Sequence, residues 1–179
     1  GQNAEMRVEP ASLTKLMTAY LVFEALKQQK LSLTQALPVS ERAWKAEGSR
    51  MFIDPKTPVS VQELLHGMIT QSGNDASITL AEGVAGSEEA FADLMNKRAQ
   101  ALGLKNSHFK NATGLPHAEH YSTAMDIGRL AAALIREFPD RYPLYAVKEY
   151  RYNNITQLNR NRLLWIDPSV DGVKTGHTE

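Results

Sequence analysis

A serine at position 12 and a lysine at position 15 stand one helical turn apart in "EPASLTKLMTAYLVFEAL", Glu9 to Leu26. Residues i and i+3 share a helix face, so the amine can reach the hydroxyl. A serine hydroxyl is a weak nucleophile until a base takes its proton. Desolvation disfavours an ammonium ion, so a lysine in an apolar helix can accept that proton near neutral pH. The run is apolar on nearly every side, which predicts burial and makes an unused lysine costly. Ser-x-x-Lys alone arises roughly once by chance in a chain of this size. The buried setting is what gives the pair weight.

Two further stretches can complete a site of this kind. In "SGN", Ser72 to Asn74, the serine can relay a proton between Lys15 and a leaving group. The Asn74 carboxamide can hold a substrate amide through its oxygen and its NH2 group. Taken alone, Ser-Gly-Asn is ordinary turn composition. In "KTG", Lys174 to Gly176, a strand would present a fixed positive charge, the Thr175 hydroxyl, and a glycine that lets a ligand approach the backbone. Its bland alternative is a solvated strand end.

The elements that must position these residues are mostly helical. A first helix is expected from about Ala11 to about Gln28, central and buried, with Pro10 just before it. From Lys30 to Pro58 the chain reads as irregular, broken by Gly48, Pro55 and Pro58. Ser60-Val61-Gln62-Glu63 is a capping box, opening a helix to about Gln71. "SGN" interrupts it, and a second helix resumes at about Asp75 and ends between Gly83 and Gly86. Ser87 opens a third, with Phe91, Leu94, Met95 and Ala99 on one face and Gly103 as its stop. Asn106 to Tyr121 reads as a loop, after which Thr123 and Asp126 start a fourth helix that ends before Pro139. "KEYRYNNITQLN" carries hairpin chemistry, and Val173 to Thr178 reads as a strand near the end of the chain.

Composition narrows the class. The 179 residues suit one domain, 42% of them apolar, with 20 basic and 20 acidic side chains, so no basic face marks a nucleic-acid binder. The chain has no cysteine, which excludes disulfides and thiolate metal sites. No window reaches the ~20 apolar residues of a membrane span. No signal peptide is recognisable at Gly1-Gln2-Asn3.

Ser-x-x-Lys, Ser-x-Asn and Lys-Thr-Gly occur here in one order, on a buried helix, at a helix break and on a strand, as three walls of a cleft require. With Asp in the middle position, this is the motif set of class A β-lactamases and penicillin-binding proteins. The chain resembles the low-molecular-mass penicillin-binding proteins, and most closely the D-alanyl-D-alanine carboxypeptidases of the cell envelope. "PASLTKLMTAY", "LLHGMITQSGNDAS", "NKRAQALGLKNSHFKNATGL", "QLNRNRLLW" and "VDGVKTGHTE" carry the resemblance over essentially the whole chain. S-G-N and the "KTGHT" ending favour carboxypeptidase over β-lactamase.

The resemblance implies an α+β fold of the penicillin-binding protein and serine β-lactamase type. Residues 1–179 would form one partial catalytic domain: its helical part plus a few antiparallel strands, the sheet incomplete in this chain. Ser12 matches the acylated nucleophile, Lys15 its base, and Ser72 and Asn74 the proton relay and the substrate-amide contact. Lys174, Thr175 and Gly176 match the substrate-facing strand, and the backbone N–H groups of Ser12 and His177 the oxyanion hole. The implied reaction removes the terminal D-alanine of peptidoglycan stem peptides ending in D-Ala-D-Ala, through an acyl-Ser12, with no metal or other cofactor. β-Lactams would acylate the same serine. The implied place is the periplasm, on the outer face of the inner membrane, with membrane-surface anchoring through a segment outside this chain. Relatives carry two strands before the Ser-x-x-Lys helix and further elements after "KTGHTE", so flanking segments are expected at both ends. The alternatives are a serine β-lactamase, a D,D-endopeptidase of the same fold, or an inert cell-wall-binding fragment.

Other residues receive plainer readings. "HAEH", His117 to His120, is taken as a solvated loop rather than a metal site. His66 is expected to be packed and hydrogen-bonded, Trp44 and Trp165 to pack in the core or at a cleft rim, and Arg160 and Arg162 to be surface charge. Glu41 to Glu47 is expected to be a solvated charge mixture.

Overall fold

The computed structural model describes residues 14–159 and the backbone of Arg7–Val8. Its centre is α1, Thr14–Lys27, in which every residue is buried except Glu24, half-buried, and Lys27, exposed. A helix apolar on all sides has to be enclosed, and α1 packs against α3 (Val61–Gln71), α4 (Asn74–Ala85), α5 (Glu88–Ala101) and α6 (Ala124–Glu137). Leu16, Met17, Tyr20, Leu21 and Phe23 of α1 join Leu64, Met68, Leu80, Phe91, Met95 and Leu134 in one core. Two polar contacts close its rim. Glu24 meets Arg98 of α5 at 2.6 Å, and the Tyr20 hydroxyl donates to Glu137 of α6.

The helix starts follow the caps read from the sequence. Ser60, Ser87 and Thr123 each accept the N–H of the residue three positions on: Glu63, Ala90 and Asp126. Ser60 and Glu63 also meet through their side chains, at 3.3 Å. The first helix ends as expected, within a residue, while the start expected at Ala11 lies outside the described residues. Between Lys30 and Pro58 the structure adds two short elements, β2 (Ala36–Leu37) and α2 (Glu41–Trp44). Trp44 is 45% exposed at the end of α2, so of the two expected settings, core or cleft rim, it is not in the core. Most of α2 is solvated, with Arg42 bonded to Glu89 and Lys45 to Glu41, but Ala43 is buried.

Strands are short and form three antiparallel pairs among the described residues. β1 (Arg7–Val8) pairs with β4 (Ser122–Thr123), Arg7 opposite Thr123. β2 pairs with β3 (Val59–Ser60), Ala36 opposite Ser60. β5 (Glu149–Tyr152) and β6 (Ile155–Leu158) form the expected hairpin. Asn153 and Asn154 turn it with φ of 48° and 62°, the left-handed pair that a two-residue hairpin loop requires. The hairpin lies on α3, where the Tyr150 ring stacks on His66 with centroids 4.7 Å apart. His66 is therefore packed as expected. Its Nδ1, however, is buried with no hydrogen-bond partner among the described residues.

Candidate active site

Lys15 sits in the first turn of α1 and is 2% exposed. Its Nζ donates to the Asn74 side-chain oxygen at 2.6 Å and to the Thr113 carbonyl at 2.9 Å. These acceptors come from two different parts of the chain. Asn74 opens α4, directly after the break that separates it from α3. Thr113 lies in the loop between α5 and β4.

The break is built by Ser72 and Gly73. Ser72 adopts φ 60° and ψ 36°, the left-handed region that costs a non-glycine residue on the order of 1 kcal/mol. The Ser72 and Gly73 N–H groups both turn back to the Gly67 carbonyl. α3 therefore ends here, and Asn74 opens a new helix with its side chain bonded to Lys15. Ser72 is 2% exposed, and its hydroxyl has no hydrogen-bond partner among the described residues. Its backbone is thus held in an unfavourable state, with its hydroxyl enclosed.

Segment 47–53 braces the break from outside. Asn74 Nδ2 donates to the Glu47 carbonyl at 2.6 Å, and the Asn74 N–H donates to the Ser49 carbonyl at 2.7 Å. Asp75, 1% exposed, accepts the N–H groups of Met51, Phe52 and Ile53 on its carboxylate, and that of Ala76. Several N–H donors on one carboxylate compensate its removal from water. Close approach needs glycine at two places. A Cβ on Gly48, where φ is +80°, would stand 2.8 Å from Asn74 Nδ2; one on Gly67 would stand 2.3 Å from the Met51 sulfur.

The loop from Asn106 to Tyr121 is fixed by side chains rather than by a ladder. Asn96 of α5 donates to the Phe109 carbonyl and accepts its N–H, both at 2.8 Å. Asn111 Oδ1 accepts the Gly114 N–H at 2.8 Å, and Glu88 accepts that of Ala112. Buried Asp126 holds the other end through the Asn106 N–H and the Ser107 hydroxyl. So fixed, the loop presents the Ala112 carbonyl to Thr18 and the Thr113 carbonyl to Lys15.

The same loop corrects the reading of "HAEH" as solvated. His117 is exposed, but His120 is 3% exposed and its Nε2 lies 2.7 Å from Thr14 Oγ1, in the first turn of α1. Burial pushes the His120 imidazole down to about 4. A histidine in a polar loop carries no sequence sign of being enclosed. The spacing to Thr14 joins two segments that only the fold brings together.

Of the residues singled out in the sequence, the structure brings Lys15 and Asn74 into contact and places Ser72 on the turn that positions Asn74. Ser12, Lys174, Thr175, Gly176 and His177 lie outside the described residues, as do Arg160, Arg162 and Trp165. Sequence reasoning missed His120, Asp75 and the carbonyls of Thr113 and Glu47. Backbone acceptors leave no trace in side-chain type.

Comparison with known proteins agrees with this geometry. The chain is 45% identical over 185 residues to the D-alanyl-D-alanine carboxypeptidase DacA of Escherichia coli strain K12, covering 99% of this chain and 46% of that protein. It superposes on penicillin binding protein 5 from Haemophilus influenzae with a TM-score of 0.95, at 45% identity, over 98% of this chain and 52% of the other. Penicillin-Binding Protein D2 from Listeria monocytogenes, solved in an ampicillin-bound form, matches with a TM-score of 0.85 at 31% identity, over 99% of this chain and 72% of that one. The helical body is thus that of the penicillin-binding proteins, and the chain spans about half the length of the curated relatives it matches. The family model for D-alanyl-D-alanine carboxypeptidase, peptidase S11, matches residues 1–179, and with its buried lysine and Ser-Gly-Asn break the chain belongs to that family.

Proposed function

We propose that this chain carries the reaction of a serine-type D-alanyl-D-alanine carboxypeptidase on peptidoglycan stem peptides, within a catalytic domain of which residues 1–179 are a part. The observation that carries the reading is the state of Lys15. Its amine is buried and donates to two carbonyl oxygens. Burial takes the amine out of water beside two acceptors, the setting in which a lysine can serve as a base.

On this reading the Ser12 hydroxyl proton passes to Lys15 as its oxygen attacks the carbonyl carbon between the two D-alanines. The N–H groups of Ser12 and His177 hold the resulting oxyanion. The C–N bond then breaks as Ser72 gives its proton to the leaving amine and takes the one held by Lys15, which returns Lys15 to its neutral form. This gives a use to the strained Ser72 backbone and to a hydroxyl that has no partner among the described residues. Water hydrolyses the acyl-Ser12 ester. The Asn74 carboxamide has a further N–H and lone pair for the substrate amide, and Lys174, Thr175 and Gly176 form the facing wall. β-Lactams acylate the same serine, a reading supported by the ampicillin-bound relative. The site of action is the cell envelope, where peptidoglycan lies. Among the described residues no helix is long and apolar enough to cross a membrane.

Labelling with a fluorescent penicillin tests the reading. The expected result is a persistent label that Ser12→Ala abolishes, with release of D-alanine from an acyl-D-Ala-D-Ala peptide. A label lost within seconds would identify a β-lactamase instead, and the absence of any label an inert fragment. A label that survives Ser12→Ala would remove the nucleophile assignment.

A further inference from the structure

One buried titratable group stands outside the mechanism just described. His120 uses both ring nitrogens. Nδ1 accepts the backbone N–H of Lys110 at 2.9 Å, and Nε2 meets Thr14 Oγ1 at 2.7 Å. A backbone N–H can only donate, so Nδ1 carries no proton. In the neutral ring the proton is then on Nε2, and His120 donates to Thr14. The ring is held in place by the edge of Phe109, with centroids 5.6 Å apart at 88°. Burial disfavours the charged ring, and His108 and His117 of the same loop disfavour it further. Lys110 is paired with Glu119 in this loop, and from α1 the neighbouring charged side chain is Lys15.

Thr14, Lys15 and Thr18 each bond to this loop, at His120, Thr113 and Ala112. Only the Thr14 bond is made by a side chain of the loop, and Thr14 is the one of the three nearest to Ser12 in sequence. We propose that His120 is a positioning residue for the Ser12–Lys15 pair. Through Thr14 it fixes the first turn of α1, and with it the geometry between hydroxyl and amine. This rests on the reading of Ser12 as nucleophile and Lys15 as base. Proton transfer and attack depend steeply on such placement.

The test is the acylation rate by fluorescent penicillin at neutral pH, well below the unfolding temperature, with the melting temperature measured in parallel. His120→Ala should slow acylation about tenfold, the scale of one lost hydrogen bond. His120→Gln should stay within about twofold of wild type, because its amide can donate to Thr14 and accept from Lys110. Thr14→Val should slow acylation to about the same extent as His120→Ala, and combining the two should add little. If His120→Ala fails to fold, Thr14→Val against wild type decides. Lowered melting temperatures with unchanged acylation rates would overturn the proposal and leave His120 a structural residue. A wild-type chain that does not label would overturn the reading of Ser12 and Lys15 instead.

Discussion

Lys15 and Asn74, 59 residues apart in the chain, meet at 2.6 Å in the interior of the protein. The contact ties the proposed base to the helix break. A carboxylate at position 74 would stabilise the ammonium form of Lys15. Asn74→Asp should therefore cut acylation by penicillin at least about tenfold near pH 7, with recovery as pH rises. Asn74→Ala should show the loss without the alkaline recovery. The pH profile of the acylation rate separates the two.

Gly67 approaches Met51 so closely that a methyl group has no room, at 2.3 Å from the sulfur and 3.0 Å from the Met51 Cβ. Gly67→Ala should destabilise the protein by about 2 kcal/mol, through overpacking and loosening of the Met51–Asp75 bond. Met51→Ala opens the needed space. The double variant should be more stable than the sum of the two single losses, which urea unfolding will measure.

Ser72 has φ of 60° and a buried hydroxyl without a partner among the described residues. Glycine adopts this backbone without penalty. Ser72→Gly should hold or raise stability by up to about 1 kcal/mol while lowering turnover of a D-Ala-D-Ala peptide at least about tenfold. Melting temperature and D-alanine release, measured on one preparation, test both halves.

Acid should weaken the fold through histidine. His120 is held at about 4, against 6.5 in the unfolded chain. Between those values the unfolded state binds a proton that the native state does not. The contribution is therefore complete above pH 6.5 and is lost as pH falls towards 4. The loss is of order 3 kcal/mol. Burial lowers His66 as well, which acts in the same sense. Glu88 acts oppositely: burial raises its carboxyl, so its contribution is present below its ordinary 4.5 and lost as pH rises through the raised value. His120→Gln should show a shallower fall in urea midpoint from pH 6.5 to pH 4 than wild type.

Much of this was legible in the sequence because the signals were local. Ser60, Ser87 and Thr123 announce three helix starts through caps that act within one turn, and Asn153-Asn154 announces a hairpin. The unbroken apolarity after Lys15 announced a central helix. What failed to show depends on distant partners. The pairing of Arg7–Val8 with Ser122–Thr123 rests on two residues per strand, too few for a period. His120 looks like any polar loop residue until Thr14 and Phe109 are beside it. Trp44 looks like core or cleft rim, yet Ala43 is the residue that α2 turns inward.

The loop that ends at Tyr121 reaches α1 across sequence separations of 94 to 106 residues. Closing so wide a span is slow relative to winding a helix. A nascent or partly unfolded chain can thus hold a formed α1 and still lack the acceptors that hold the Lys15 amine. On the proposed chemistry, docking of this loop is what arms the site, and a half-built chain stays inert.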